Sequence, residues 1–325
     1  MHTIEELRDI FEAYTESHPF NREPQELYAP MAYIMGMGGK RLRPLLALMG
    51  AQLFGDAVHG ALPVAMAVEV FHNFSLVHDD IMDEAPLRRG QATVHQKYGA
   101  NAGILSGDAM LIYAYEFLRQ VDNQAAIPRL LREFNRVAVE VCEGQQYDMN
   151  FERRQDVKIE EYLRMIELKT AALIEGSLVM GAVAAGAPEP DLKELAVFGR
   201  NIGLCFQLQD DILDTFGDPE KFGKKAGGDI VQNKKTFLIL KALELARGET
   251  RTELARLMSS NPEDERQKVR RVTEILQQLK IREWAEQMKE EIQHTALAAL
   301  GRVAVPDSRK APLRDMAMRL IRRES

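Results

Sequence analysis

Residues 61–83 read ALPVAMAVEVFHNFSLVHDDIMD, and the fold turns on how that stretch is read. From Ala61 to His78 apolar side chains recur on nearly every side of a 3.6-residue period, which predicts a helix over 60–84. A helix apolar almost all round belongs inside a large core. The same spacing recurs outward along the chain. Thr3-Ile4-Glu5-Glu6 forms a capping box that opens a helix to about Ser17, striped by Ile4, Leu7, Ile10, Phe11 and Tyr14. A second box, Asp191 with Glu194, opens helical spacing to about Thr215. Further helices are predicted over 42–54, 102–121, 125–150, 158–186, 232–246, 263–279, 281–301 and 311–323. Pro24, Pro30, Pro63, Pro188-Glu189-Pro190, Asn261-Pro262 and Pro306 read as helix ends. Strand signals are scarce, and no repeat, low-complexity linker or shift of composition divides the chain. The expectation is all-α: a single domain over 1–325, one bundle of roughly ten or more helices around a central active-site cavity, with the site between facing helices.

Composition narrows the function classes. The chain has 325 residues, 46% hydrophobic and 28% charged, which suits a globular protein rather than a disordered one. Its net charge is −7, so a nucleic-acid partner is not expected. Two cysteines, Cys142 and Cys205, make no disulfide framework; each lies in an apolar helical run and reads as a buried free thiol in a reducing compartment. The N-terminus MHTIEELRDIFEAY is acidic and amphipathic without an apolar signal core. The longest apolar stretch, read as Gly176 to Pro188, is too short and too rich in Gly and Ala to span a bilayer. No integral membrane segment and a cytoplasmic location are therefore expected.

The helix over 60–84 ends in Asp79-Asp80-Ile81-Met82-Asp83, and the helix ending near Thr215 carries Asp210-Asp211-Ile212-Leu213-Asp214. In each pentad the first and last Asp are i and i+4, on one face and one turn apart, where like charges repel. The macrodipole disfavours anions at a helix C-terminus as well. One such pentad could be an ordinary solvated helix end. Two of the same form, each after apolar helix, need a compensating charge, and Mg²⁺, which takes carboxylate, water and phosphate oxygens, supplies it. Gln207 stands one turn before Asp210, and His72 two turns before Asp79.

Cations cluster separately. Gly36-Met37-Gly38-Gly39-Lys40-Arg41-Leu42-Arg43-Pro44 is glycine-rich and then basic, suited to close backbone approach and charge-assisted bonds to phosphate. Arg88-Arg89-Gly90 follows the first pentad, Lys169-Thr170 interrupts an apolar helical run, and residues 217–235 carry Gly217, Gly223, Gly227 and Gly228 with five lysines. Carboxylates that need metal, metal that needs phosphate, and cations for the remaining charge together imply one or two diphosphates. A Walker-type loop is absent from the sequence.

With these residues in view the chain resembles the trans-isoprenyl diphosphate synthases, or polyprenyl synthetases, of short-chain type. The matches are Gly39-Lys40-Arg41-Leu42-Arg43-Pro44, the segment from His72 to Asp83, Arg88-Arg89-Gly90, Thr93-Val94-His95, Gly107-Asp108, Gly144-Gln145, Lys169-Thr170, Phe206-Gln207-Leu208-Gln209-Asp210-Asp211, and Gly228-Asp229-Ile230 with Lys234. They run in family order over most of the chain; Ala92, where the family often has Pro, is a departure at a loop position. The resemblance implies the isoprenoid synthase fold, a homodimer, and head-to-tail condensation of isopentenyl diphosphate with an allylic diphosphate, with Mg²⁺ as cofactor, three ions per site. It implies that Lys40, Arg43, His72 and Arg89 hold isopentenyl diphosphate. Asp79, Asp83 and Asp210 would bind Mg²⁺, supported by Asp80, Asp211 and Asp214. Arg88, Lys169, Gln207, Lys224 and Lys234 would hold the allylic diphosphate, and Thr170 would line its reacting end. The catalytic set it implies is Asp79, Asp83, Arg88, Lys169, Asp210 and Lys234.

Product length rests on Phe74, five residues before Asp79, where an aromatic limits elongation in this family; Phe71, one turn further, is a candidate second barrier or ordinary core. Ser75 and the absence of a two-residue insertion in the first pentad favour geranylgeranyl over farnesyl diphosphate. A terpene cyclase keeps one Asp-rich site and does not need the Gly-Lys-Arg or Arg-Arg-Gly sites. A non-catalytic subunit of a heteromeric synthase tends to lose Asp-rich residues, and this chain has lost none. A helical metal-storage protein would want paired Glu-x-x-His motifs, and the sequence has none.

Overall fold

The computed structural model describes residues 1–217, 227–260 and 264–321. These residues are overwhelmingly helical and divide into two compact units. The first takes residues 1–138, 173–196 and 302–313; the second takes 139–172, 197–301 and the chain from 314 onward.

In the first unit α1 (Ile4–Glu16) starts at the predicted box: the Glu6 N–H donates to Thr3 Oγ1 and the Thr3 N–H donates to Glu6. Then follow α2 (Gln25–Gly36), α3 (Leu42–Phe54) and α4 (Leu62–Met82), the last entered by a 3₁₀ turn at Val58–Ala61. Helix α2 corrects the sequence reading. Pro30 does not end a helix but lies inside one, because Pro30, Met31, Ile34 and Met35 bury together and compensate for the missing N–H donor. Pro63 sits in the first turn of α4, where no intrahelical N–H bond is lost. The segment Val58–Met82 is long and apolar enough to cross a membrane by length and composition, but 72% of its apolar window is buried inside the protein, as in a core helix. Two-residue strands β1 (Leu87–Arg88) and β2 (Gln91–Ala92) pair antiparallel around Arg89 and Gly90, whose φ values of 52° and 75° suit a tight hairpin. Helices α5 (Val94–Tyr98) and α6 (Ala100–Leu118) follow. Helix α3 crosses α9 (Ala172–Ala184) at touching backbones: a Cβ on Gly50 would strike the Leu178 carbonyl, and one on Gly181 the Ala47 carbonyl.

Helices α7 (Ile127–Glu152) and α10 (Glu189–Phe216) contribute residues to both units. Helix α10 begins two residues before Asp191, which therefore caps no helix; its carboxylate accepts from the Ala304 N–H at 2.7 Å instead. The predicted helix over 158–186 is α8 (Ile159–Ile166), a π-helical turn at Glu167–Ala171, and α9. The second unit adds α11 (Gly228–Val231), α12 (Phe237–Leu245), α13 (Gly248–Leu257), α14 (Glu265–Gln278) and α15 (Ile281–Arg302), while α16 (Asp307–Ile321) begins in the first unit and passes into the second at residue 314. The core of the second unit is built on Tyr162, Leu208, Ile212, Phe237 and Ile275. Cys205 is a buried free thiol as expected, whereas Cys142 is exposed. Val141 takes the inward face of α7, and one residue further round the helix points outward.

Candidate functional site

The first unit gathers one set of predicted residues at the C-terminal half of α4. Asp79 and Asp83 are one turn apart, the Asp83 N–H closing on the Asp79 carbonyl at 2.9 Å. Asp80 faces inward, 1% exposed. Arg88, on β1, spans the pentad: its Nε donates to Asp80 at 2.7 Å and its terminal nitrogen to Asp79 at 3.4 Å. Burial raises the Asp80 pKa, opposed by the Arg88 bond. Asp80 Oδ1 is buried and accepts no hydrogen bond, so the pentad keeps an unused oxygen.

The glycine-rich loop lies nearby in the same unit. Gly38 and Gly39 take φ of 73° and 130°, and a Cβ on Gly39 would come within 2.9 Å of the Arg89 guanidinium carbon, so glycine there makes room for that arginine. Arg89 donates to the Gly38 carbonyl, and Arg43 lies 3.1 Å from His72 Nε2. Burial and then the charges of Arg43, Arg89, Arg88 and Arg41 hold the His72 pKa well below its ordinary value, so the ring is neutral at pH 7. This cluster is strongly cationic, and the His72 imidazole can still share a proton in a hydrogen bond to an anion. Along α4, Phe74 is partly buried between Phe71, 5.4 Å between centroids, and His78, 4.8 Å. Phe71 is fully buried and backed edge-on by Phe134 at 5.2 Å.

The second unit gathers another set around a cavity of about 160 Å³, lined among others by Asp148, Lys169, Thr170, Gln207, Asp211, Asp229 and Lys234. Lys169 and Thr170 lie on the π-helical turn, a distortion that recurs at functional sites because it re-aims side chains out of register. Two glycines make that turn possible: a Cβ on Gly144 of α7 would strike the Lys169 backbone, and one on Gly203 of α10 would lie 2.5 Å from Ala171 Cα. Lys169 is paired to Asp148 at 2.6 Å. Thr170 donates to Gln207 at 3.2 Å, and Gln207 donates to Asp211 at 3.1 Å. Tyr162 donates to the other oxygen of Asp211. Burial, with Asp229 next, pushes the Asp211 pKa well up, and burial with Asp214 raises Asp229 to about 6. Asp214 accepts from the Asp229 N–H at 3.0 Å. Lys234 follows a turn pinned by buried Lys268, whose ammonium donates to Asn233 Oδ1 at 2.6 Å and the Ser260 carbonyl at 3.0 Å.

Lys224 lies outside the described residues. The sequence reading missed Asp148, Tyr162, Asp229 and Lys268 as site residues. Asp229 stood in a quoted motif without a role; Tyr162 and Lys268 carry no local signal, because their partners are 49 and 35 residues away. The donor set fits Mg²⁺. Every candidate ligand is a carboxylate oxygen, and among the described residues no three His, Cys, Asp or Glu side chains form a ready cage. Mg²⁺ is characteristically held by one or two carboxylates, with water and substrate phosphate completing its shell.

The polyprenyl synthetase family model matches residues 24–276, a span that takes in both pentads and every basic cluster described above. The chain belongs to the polyprenyl synthetase family. A solved structure of a geranylgeranyl pyrophosphate synthase is 44% identical, with each chain covered in full and a TM-score of 0.95. The geranylgeranyl diphosphate synthase of Methanosarcina mazei is 40% identical over 233 residues, 71% of this chain and 72% of that one. A geranylfarnesyl diphosphate synthase of Natronomonas pharaonis is 36% identical over 282 residues, 80% of each. Prenyl diphosphate synthases of this family use isopentenyl and allylic diphosphates and are generally Mg²⁺-dependent.

Proposed function

We propose that the protein condenses isopentenyl diphosphate head-to-tail with an allylic diphosphate, giving a short-chain all-trans prenyl diphosphate, chiefly the twenty-carbon geranylgeranyl diphosphate. The observation that carries the reading is that each unit brings an acidic pentad together with cations suited to phosphate: Arg88 bonds Asp79 and Asp80 in the first, and Lys169 and Lys234 line one cavity with Asp211 in the second. Membership of the family and the relatives' own activities support the same reaction. Phe74, five residues before Asp79 and followed by Ser75 rather than a second aromatic, supports twenty carbons over fifteen.

In this reading Lys40, Arg43, His72 and Arg89 bind isopentenyl diphosphate, and Arg88, Lys169, Gln207, Lys224 and Lys234 bind the allylic diphosphate. Asp79, Asp83 and Asp210 hold Mg²⁺, three ions per site, with Asp80, Asp211 and Asp214 in support. Bound Mg²⁺ supplies positive charge for the departing diphosphate. As the allylic carbon–oxygen bond breaks, its electron pair leaves with the diphosphate, and Arg88, Lys169 and Lys234 donate to oxygens on which charge is growing. Thr170 lines the reacting carbon, and apolar helix surface keeps water from the allylic cation. The double bond of isopentenyl diphosphate, held in place by its own cations, attacks that carbon. A proton then passes to the released diphosphate, so no side chain has to be a strong base. We propose further that 1–325 acts as one polyprenyl synthetase domain, as a homodimer in the cytoplasm. Chromatography of dephosphorylated products from isopentenyl diphosphate with dimethylallyl, geranyl and farnesyl diphosphates in turn tests the reading. Twenty-carbon product from each starter supports it; no condensation from any of them refutes it.

A further inference from the structure

Helix α4 buries one carboxylate that neither acidic pentad uses. Glu69 is 2% exposed in an otherwise apolar stretch, and a charge so placed is costly unless it is paired and hydrogen-bonded. It is both. Arg41 donates to Glu69 Oε1 at 2.5 Å, and Asn73 Nδ2 donates to the same oxygen at 3.2 Å and to the Glu69 carbonyl at 2.8 Å. The second arm of Arg41 donates to the Met35 carbonyl, at the end of α2, at 2.8 Å.

Arg41 belongs to the glycine-rich loop, immediately after Lys40 and two residues before Arg43. The loop conformation is an unusual one. Gly38, Gly39 and Arg41 all have positive φ, and Arg41 at 50° is a side-chain-bearing residue in the left-handed region just before α3. Such a backbone persists only where its surroundings hold it. The holding points are visible. Arg41 reaches Glu69 on α4, Arg43 lies against His72 three residues further along the same helix, and Arg89 donates to the Gly38 carbonyl from the hairpin. Glu69 also acts on Arg89, its negative charge favouring the guanidinium against burial.

We propose that Arg41 and Glu69 are positioning residues for isopentenyl diphosphate: their buried ion pair fixes the loop so that Lys40, Arg43 and Arg89 meet the diphosphate together, without touching it themselves. This rests on the assignment of those cations to isopentenyl diphosphate made above. A buried ion pair could instead serve stability alone, and the two roles separate in a double-mutant cycle. Removing Arg41 leaves Glu69 buried and unpaired; removing both partners relieves that penalty but leaves the loop unanchored.

The test measures thermal midpoint and the KM of each substrate in wild type, Arg41→Lys, Arg41→Met, Glu69→Gln and the Arg41→Met/Glu69→Gln double variant. The expected result for Arg41→Met is a KM for isopentenyl diphosphate raised about tenfold or more, the scale of a lost charge-assisted hydrogen bond, with the allylic KM little changed. Arg41→Lys, which keeps one charge but not the two-armed bond, should fall between wild type and Arg41→Met. In the double variant the thermal midpoint should recover relative to Arg41→Met while the isopentenyl KM stays high. An isopentenyl KM that recovers with the midpoint, or one that never departs from wild type, overturns the proposal. Equal shifts in both substrates' KM do so too. If Arg41→Met does not fold, Arg41→Lys and the double variant decide by the same criteria. A wild-type protein that condenses nothing would instead fail the assignment on which the proposal stands.

Discussion

Replacing Phe74 with Ala makes the most quantitative demand on the geometry. Phe74 lies five residues before Asp79 on the continuous helix α4, about 7.5 Å of axial rise from the pentad, and Phe71 lies eight residues before it, at about 12 Å. If the prenyl chain grows along this helix away from the carboxylates, Phe74 is the first stop and Phe71 the second. Loss of the Phe74 ring moves the floor by roughly the rise between them, about 4.5 Å, which is room for one further five-carbon unit. Extension beyond that is blocked, because Phe71 is fully buried and braced by Phe134. The variant should therefore shift the main product from twenty to twenty-five carbons and no further, and Phe71→Ala alone should change product length little. Phe74 is only partly buried, so its removal should cost stability less than the ~3–5 kcal/mol of a fully buried Phe→Ala change. The assay is chromatography of dephosphorylated products, with a thermal melt to confirm folding. An active, folded variant with an unchanged product distribution would refute this placement of the stop.

Two further outcomes separate the roles of individual residues. Arg89→Ala should mainly raise the KM for isopentenyl diphosphate and Lys234→Ala mainly that for the allylic partner; equal changes in both would show the division of cations to be wrong. His72 gives a pH signature. Its folded pKa is depressed, so it contributes stability in full above its unfolded pKa of about 6.5, lost as pH falls toward the folded pKa, at up to about 1.4 kcal/mol per pH unit. Wild type should lose stability below pH 6.5 faster than His72→Gln does, and parallel denaturation curves would contradict a neutral, partly buried imidazole.

The sequence carried the long helices because their apolar periodicity is strong, and the pentads because repeated like charge on one helix face is conspicuous. What it hid depends on contacts distant in sequence. Pro30 reads as a break, yet α2 runs through it because the proline is buried with three apolar neighbours. Helix α13 was missed because Gly248 stands at its first position and only Leu254 is buried along it. The π-helical turn under Lys169 and Thr170 leaves a continuous helical pattern in the sequence; what supports it is the packing of Gly144 and Gly203 from two other helices. Arg41 looked like one more cation in a basic loop, and only its contact with Glu69 on α4 separates it from Lys40 and Arg43. The Tyr162 bond to Asp211 joins residues 49 positions apart.

The central claim is that the two pentads carry a metal-dependent condensation of two diphosphates. Its most direct test is a single-turnover reaction of radiolabelled isopentenyl diphosphate with farnesyl diphosphate, run with Mg²⁺, with excess chelator, and with Mg²⁺ restored. Asp79→Ala and Asp210→Ala are run in parallel, with melts to show that both remain folded. The account predicts twenty-carbon product with Mg²⁺, none with chelator, recovery on adding Mg²⁺ back, and turnover lower by orders of magnitude in both variants. Full activity in excess chelator, or wild-type turnover in either variant, would contradict it.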